Sequence, residues 1–179
     1  EGIEQVYVHL FTAGRDSGPH AAATYLHELR GHMLHTEKIV TIMGRLYGMD
    51  RNKIWDRTEA AYKAMVMGVG HKVASAEEAL EQAYNRGETD EFVTPSVVVD
   101  EKGNPIASIA DHDAIIFFNA RSDRAREITK AFVQDDFNKR NPGSFKRVKV
   151  PKNIRFVALT DFGPDLERIL TVFPSPDVY

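Results

Sequence analysis

The chain has 179 residues and a mass of 20.2 kDa, with 42% apolar and 27% charged residues. That length fits one compact domain burying ~70% of its unfolded surface, and the apolar residues are too many for disorder and too scattered for a membrane span. With 23 Lys and Arg against 26 Asp and Glu the net charge is −3, which gives no reason for general affinity to nucleic acid or anionic lipid, and the lack of cysteine excludes disulfides, Cys-based zinc sites and thiol catalysis.

A cysteine-free chain without an apolar leader reads as cytoplasmic. Because it begins at Glu1 and not at Met, close to a strand-like run, it also reads as cut from something longer. Gln5 to Thr12 is β-rich, and Ala21 to Leu34 carries a helical stripe of Ala22, Tyr25, Leu26, Leu29 and Met33. Lys38 to Met43 reads as a strand and Ile54 to Val66 as a helix with Trp55, Ala61, Tyr62 and Met65 on its core face. Ser75 and Glu78 form a capping box that opens a helix ending at Gly87. Val97 to Ile109 reads as a hairpin about the turn Asp100 to Pro105. Ala114 to Phe118 reads as a buried-type strand, Asp123 to Phe132 as a helix, and the basic stretch Asn138 to Lys152 as a solvated loop. Ile154 to Leu159 is the last strand expected, in a domain spanning residues 1–170, with a Pro-containing linker at 171–179. The alternation predicts an α/β fold, a layered helix–sheet–helix domain with a mostly parallel sheet and one β-hairpin.

Three of these strands run directly into arginines: Arg15 with Asp16, Arg45, and Arg121 with Arg124. Ligands of open α/β sheets bind beyond the carboxyl ends of strands. Arg51 and Arg57 follow Arg45 closely, and Asp16, Asp50 and Asp123 are interleaved. Guanidinium meets carboxylate and phosphate through paired planar hydrogen bonds, so the pattern predicts a site for a small, multiply anionic ligand carrying phosphate.

The same residues carry a resemblance. GRDSGP (14–19), GRLYGMDRNKIWDR (44–57), RGETDEFVTPS (86–96) and IIFFNARSDRARE (115–127) resemble, in order, motifs of the cofactor-independent, or 2,3-bisphosphoglycerate-independent, phosphoglycerate mutases. The resemblance implies an isomerase of glycolysis that interconverts 3-phosphoglycerate and 2-phosphoglycerate. It implies two domains: a phosphatase-like one with a serine nucleophile and two divalent metals, usually manganese, and an inserted one that grips the glycerate. This chain resembles the inserted domain alone, expected to bind substrate without catalysing and to hold no metal itself. Carried over by position, the substrate-binding residues are Arg15, Asp16, Arg45, Arg51, Arg121 and Arg124, with Asp16 also taking the proton of the glycerate hydroxyl. Ala13, Leu46 and Ser122 depart from the family pattern, and none removes a binding charge.

Other motifs read as structural. His27 and His32 are five apart, ~140° around a helix, so they do not make the two-histidine zinc motif, and His35 reads as solvated with them. Asp111-His112-Asp113 reads as a turn, and Gly68-Val-Gly70 as a helix end. Two other functions fit the arginine rim: a self-sufficient enzyme on a phosphorylated metabolite, with Asp16 or His20 as acid or base, and an interaction domain for an acidic protein.

Overall fold

A computed structural model describes residues 3–34 and 36–174. Strand β1 (Val6–Thr12), helix α1 (Ala22–His32) and strand β2 (Glu37–Gly44) form a βαβ unit in which β1 and β2 are parallel, from Val6 opposite Glu37 to Thr12 opposite Gly44. Helices α2 (Arg45–Gly48) and α3 (Trp55–Met67), strand β3 (His71–Val73), helix α4 (Ala76–Asn85), a single 3₁₀ turn (Asp90–Phe92) and strand β4 (Ser96–Val98) complete a first sheet of order β1-β2-β4-β3. Strand β5 (Ala114–Phe117), helices α5 (Ser122–Val133) and α6 (Phe137–Arg140), strand β6 (Arg155–Thr160) and strand β7 (Ile169–Phe173) build a second sheet of order β5-β6-β7. All strand pairs are parallel except β2 with β4. The mixed α/β architecture is the one expected, although the strands divide between two sheets.

The first sheet is covered on both faces, as parallel strands require. On one side Leu26 of α1 and Ala79, Leu80 and Ala83 of α4 pack with Ile39 and Ile42. On the other, Trp55, Tyr62 and Met65 of α3 join Met43, Val97 and the aromatic group Phe132, Phe137, Phe145 and Phe156. Each fully buried large side chain contributes ~1.5–3 kcal/mol. Tyr62 also donates its hydroxyl to the Lys149 carbonyl at 2.8 Å, and burial pushes its pKa up to about 12.

Helix α4 begins as expected: Ser75 Oγ accepts from Glu78 N at 3.1 Å, while the Glu78 carboxylate reaches back to Ala74 N at 2.6 Å. Gly68 ends α3 in the left-handed region at φ 63°. The Asp111–Asp113 turn is closed by Ala110 N donating to Asp113 Oδ2 and Lys152 N donating to Asp111 Oδ1, both at 2.8 Å. His27 and His32 are exposed, while His35 lies outside the described residues.

Several expectations are corrected. Helix α1 stops at His32, because Met33 is extended. The hairpin reduces to β4, the Asp100 turn and a single bridge between Val99 and Pro105. Pro105 has no N–H with which to extend the ladder, and Ile109 N donates to Met65 O instead. Strand β5 is not buried on both faces: it is an edge strand, with Ile116 69% and Phe118 82% exposed. Strand β3 was not expected, nor β7, whose residues 171–173 overlap the expected linker; residues 175–179 lie outside the described residues.

The basic stretch 138–152 is packed down. Phe145 is in the core, Arg147 donates to Ala131 O (2.9 Å) and Asp135 O (3.0 Å) and lies 5.0 Å from the Phe137 ring centroid, and Lys149 donates to Val66 O at 3.1 Å. These cations satisfy carbonyls at the ends of α5 and α3, where the helix dipole favours positive charge. No described helix is long and apolar enough to cross a membrane.

Candidate anion-binding site

The carboxyl ends of β1, β2 and β5 bring the predicted residues to one rim. Arg15 and Asp16 lie in the loop after β1, Arg45 opens α2 directly after β2, and Arg121 and Arg124 sit at the start of α5, after β5. Phe11 and Phe117 meet edge to face, 5.9 Å between centroids, which holds the ends of β1 and β5 together across the two sheets.

Two glycines let the loops approach closely. A Cβ on Gly44 would lie 2.2 Å from Glu91 O, and one on Gly14, at φ 70°, would lie 2.6 Å from Glu91 N. The 3₁₀ turn therefore acts as a buttress for both loops. Its buried Asp90 accepts from Ala22 N at 2.8 Å and from the Tyr84 hydroxyl at 2.5 Å. Its backbone N donates to Pro19 O at 2.8 Å, and its carbonyl accepts from Thr12 Oγ1 at 2.5 Å. Helix α1 has no side-chain cap from its own N-cap residue, Ala21, so Asp90 serves as its cap from a distant part of the chain.

The interleaved carboxylates divide among the arginines. Arg45 Nη1 donates to Asp16 Oδ2 at 2.8 Å; the arginine side chain is 5% exposed and the aspartate 78%. Arg51 Nη1 donates to Asp123 Oδ2 at 2.5 Å, and Arg121 Nε donates to Asp123 Oδ1 at 2.7 Å. Arg15 lies 3.6 Å from Glu91. Arg57 is turned to Asp50, 3.2 Å away, and so braces the loop that carries Arg51. Arg124 has no carboxylate partner among the described residues; its Nη1 donates to Met49 O at 3.3 Å. The Nε atoms of Arg45 and Arg124 are buried and unpartnered, which is unusual for charged donors.

Electrostatics records the convergence. The pKa of Arg124 lies below its ordinary value, first through burial and then through the charges of Arg45, Arg51 and Arg121. Asp16 is held below the usual carboxylate range chiefly by Arg45, with Arg121 and Arg15 adding less. Arg15, the sequence neighbour expected to keep Asp16 ionised, is thus the weakest of the three. Asp123 is lowered to about 2, first by the Arg121 hydrogen bond and then by Arg51. A depressed carboxyl keeps its pairings above the ordinary pKa and loses them as pH falls. We predict that the Asp123 carboxyl carbon titrates by NMR with a midpoint near 2; a midpoint near 3.8, the unperturbed value, would show that its bridges do not form in solution.

Sequence reasoning missed Asp90, Glu91 and the buried Glu127; it named Asp50 as an offsetting charge but not as the neighbour of Glu127 behind Arg51 and Arg124. The first two lie in the RGETDEFVTPS segment, which offered a motif but no role. His20, the alternative acid or base, packs edge-on against Tyr84 with 4.6 Å between centroids. Among the described residues, no group of three or more His, Asp or Glu could hold a metal ion. A recess of about 290 Å³ lies away from the arginine rim, between α3 and Thr94–Pro95.

Residues 1–164 match the family model described as "BPG-independent PGAM N-terminus". The chain is 48% identical over 178 residues to 2,3-bisphosphoglycerate-independent phosphoglycerate mutase 1 of Methanosarcina barkeri, covering 98% of this chain and 33% of that protein. It is 42% identical over 180 residues to the corresponding mutase of Clostridium novyi, covering 99% and 34%. A crystal structure of Leishmania mexicana phosphoglycerate mutase at low cobalt concentration superposes with a TM-score of 0.81 at 31% identity, covering 90% of this chain and 30% of that one. The chain therefore spans about a third of the length of these relatives.

Proposed function

Since the chain belongs to the 2,3-bisphosphoglycerate-independent phosphoglycerate mutase family, matching the model of its N-terminal part, we propose that it is the substrate-binding part of such a mutase. The observation that carries this reading is the gathering of Arg45, Arg51, Arg121 and Arg124 around one point, with two guanidinium Nε–H groups buried and unpartnered. Three guanidinium charges that lower the proton affinity of a fourth, Arg124, call for an anion, and the forked donors suit the phosphate and carboxylate of 3-phosphoglycerate and 2-phosphoglycerate.

In this reading Arg15, Arg45, Arg51, Arg121 and Arg124 hold the two anionic ends of the glycerate, and residues 1–170 form the binding domain. Asp16, exposed and ionised, is assigned to accept a hydrogen bond from the glycerate hydroxyl and take its proton as the oxygen attacks phosphorus, a role its exposure and charge support. Its depressed pKa makes it a weak base, so orienting the hydroxyl is the larger part of its work. The phosphoryl group rests meanwhile on a serine of the remaining polypeptide. The described residues do not fit the two divalent ions, manganese in the implied chemistry, so these too are assigned to the remainder. The isolated chain binds without turnover, and the full enzyme works in the cytoplasm.

We expect 3-phosphoglycerate to bind the isolated chain weakly and to shift the resonances of Arg15, Arg45, Arg121 and Arg124 in an NMR titration at low salt. The affinity should fall as salt rises, because half-exposed ion pairing is screened. No shift at these arginines would overturn the reading, and turnover by the pure chain would favour a self-sufficient enzyme.

A further inference from the structure

Behind the rim, two buried carboxyl groups face each other. Asp50 belongs to the turn between α2 and α3, and Glu127 lies on α5, one turn after Arg124; they are 4% and 6% exposed. Asp50 Oδ2 accepts from Asn52 N and Ile54 N, each at 3.0 Å, and its Oδ1 accepts from Arg57. Glu127 Oε1 accepts from Lys53 N at 2.8 Å, and its Oε2 lies 3.4 Å from Thr58 Oγ1. Asp50 is thus supported as an anion by three donors, with room for one more. Glu127 has two neutral donors and no ion-pair partner among the described residues, and the adjacent amides Lys53 N and Ile54 N, one bound to each carboxyl, seat Glu127 and Asp50 side by side.

Two carboxylates in contact inside a protein do not both stay ionised. The proton belongs on Glu127, which has no ion-pair partner among the described residues, whereas Asp50 is paired with Arg57. Burial comes first and the Asp50 charge adds to it, together pushing the Glu127 pKa up to about 7. Of the charged groups near the pair, Arg124, one turn before Glu127 on α5, donates to Met49 O. Arg57 on α3 reaches only Asp50, while on α5 itself Asp123 is engaged by Arg51 and Arg121, and Lys130 by Asp165.

We propose that Asp50 and Glu127 share one proton as a positioning pair that clamps the Arg51 turn to α5 and so sets the spacing of Arg51 from Arg124. That spacing matters for an anion on the rim, so the functional part of the claim rests on the reading given above. When Glu127 ionises, the contact becomes repulsive. What then remains between the turn and α5 is the exposed Arg51–Asp123 bridge, the Lys53–Glu127 and Thr58–Glu127 bonds, and the long Arg124–Met49 bond. Anion affinity then falls as pH rises through neutrality.

The test uses this chain and Glu127→Gln, whose amide still donates to Asp50 and cannot ionise, with Glu127→Ala as the variant that loses the contact. In the wild type the Glu127 carboxyl carbon and the side-chain Nε–H resonances of Arg51 and Arg124 should titrate together near pH 7. In Glu127→Gln the arginine transition should vanish, and in Glu127→Ala the arginines should hold one loosened position at every pH. Sulfate is the probe anion because, unlike phosphate, it stays a dianion throughout the neutral range. Its affinity should drop several-fold across that range in the wild type and stay level in Glu127→Gln. Stability gives a ligand-free check. A raised carboxyl makes the folded state bind more protons than the unfolded one, so stability falls between about 4.5 and about 7. His9, lowered to about 4 by burial, works the opposite way up to its ordinary 6.5, so the wild-type minus Glu127→Gln difference is the quantity to read. An ordinary titration for Glu127, or identical arginine profiles in wild type and Glu127→Gln, would overturn the pair. Arginine co-titration without sulfate binding would uphold the clamp and sink the anion site.

Discussion

Arg45→Ala is expected to weaken 3-phosphoglycerate binding ~10- to 100-fold, the equivalent of one charge-assisted hydrogen bond at ~1.5–3 kcal/mol. Arg45 is the most committed of the rim residues. Its side chain is 5% exposed and its stem is fixed at the start of α2, so almost no rotamer freedom is lost when an anion arrives. Removing it also frees Asp16, whose depressed pKa has Arg45 as its first cause and which should climb back toward the ordinary carboxylate range. Folding should suffer less than binding, because the orphaned Asp16 is 78% exposed and water can solvate it. Arg45→Lys should recover only part of the affinity, since an ammonium lacks the planar fork. Calorimetric or NMR titration gives the affinity, and the Asp16 carboxyl carbon reports whether the local electrostatics changed as argued. An affinity within about twofold of wild type, with Asp16 shifted, would remove Arg45 from the binding site.

The rim was legible because it depends on adjacency along the chain. A strand that ends in an arginine keeps that arginine at its carboxyl end whatever the packing, so β1, β2 and β5 needed only to be roughly parallel neighbours. The features that were not legible depend on who meets whom. Arg147 and Lys149 look like solvated charges in sequence, and only the placement of the α3 and α5 ends shows that they cap buried carbonyls. The apolar run at β5 gives no sign that one of its faces lacks a cover. Glu127 reads as a polar residue on an amphipathic helix; its burial follows from the α3–α5 contact, a tertiary fact. Asp90 sits in an acidic TDE run whose local sequence gives no sign of burial, yet it is among the most buried polar residues described.

That burial makes Asp90→Ala the substitution with the largest expected cost to stability. It removes a carboxylate that satisfies both Ala22 N and the Tyr84 hydroxyl, leaving two donors enclosed without acceptors. Each such loss costs ~1–3 kcal/mol, more when the acceptor was charged, so a total of ~3–5 kcal/mol is expected in urea or thermal unfolding. For a domain of ordinary stability that is a fifth or more of the whole, ~5–15 kcal/mol. Asp90→Asn should recover part of it, because an amide oxygen serves one donor while its NH₂ group confronts the other. The damage should also reach the rim. Asp90 holds the first turn of α1, and its backbone fixes Thr12 and Pro19, so the loop bearing Arg15 and Asp16 is tied at both ends to this one residue. The backbone bonds survive substitution; the α1 cap does not. Hydrogen exchange at residues 12–24 should therefore accelerate more in Asp90→Ala than exchange in α5, which shares no bond with Asp90. The Tyr84 hydroxyl, raised first by burial and next by its bond to Asp90, should titrate lower in the variant. A stability change below about 1 kcal/mol would mean that water reaches these donors freely, and the buttress would then have to be sought in the close backbone approach at Gly14 and Gly44 alone.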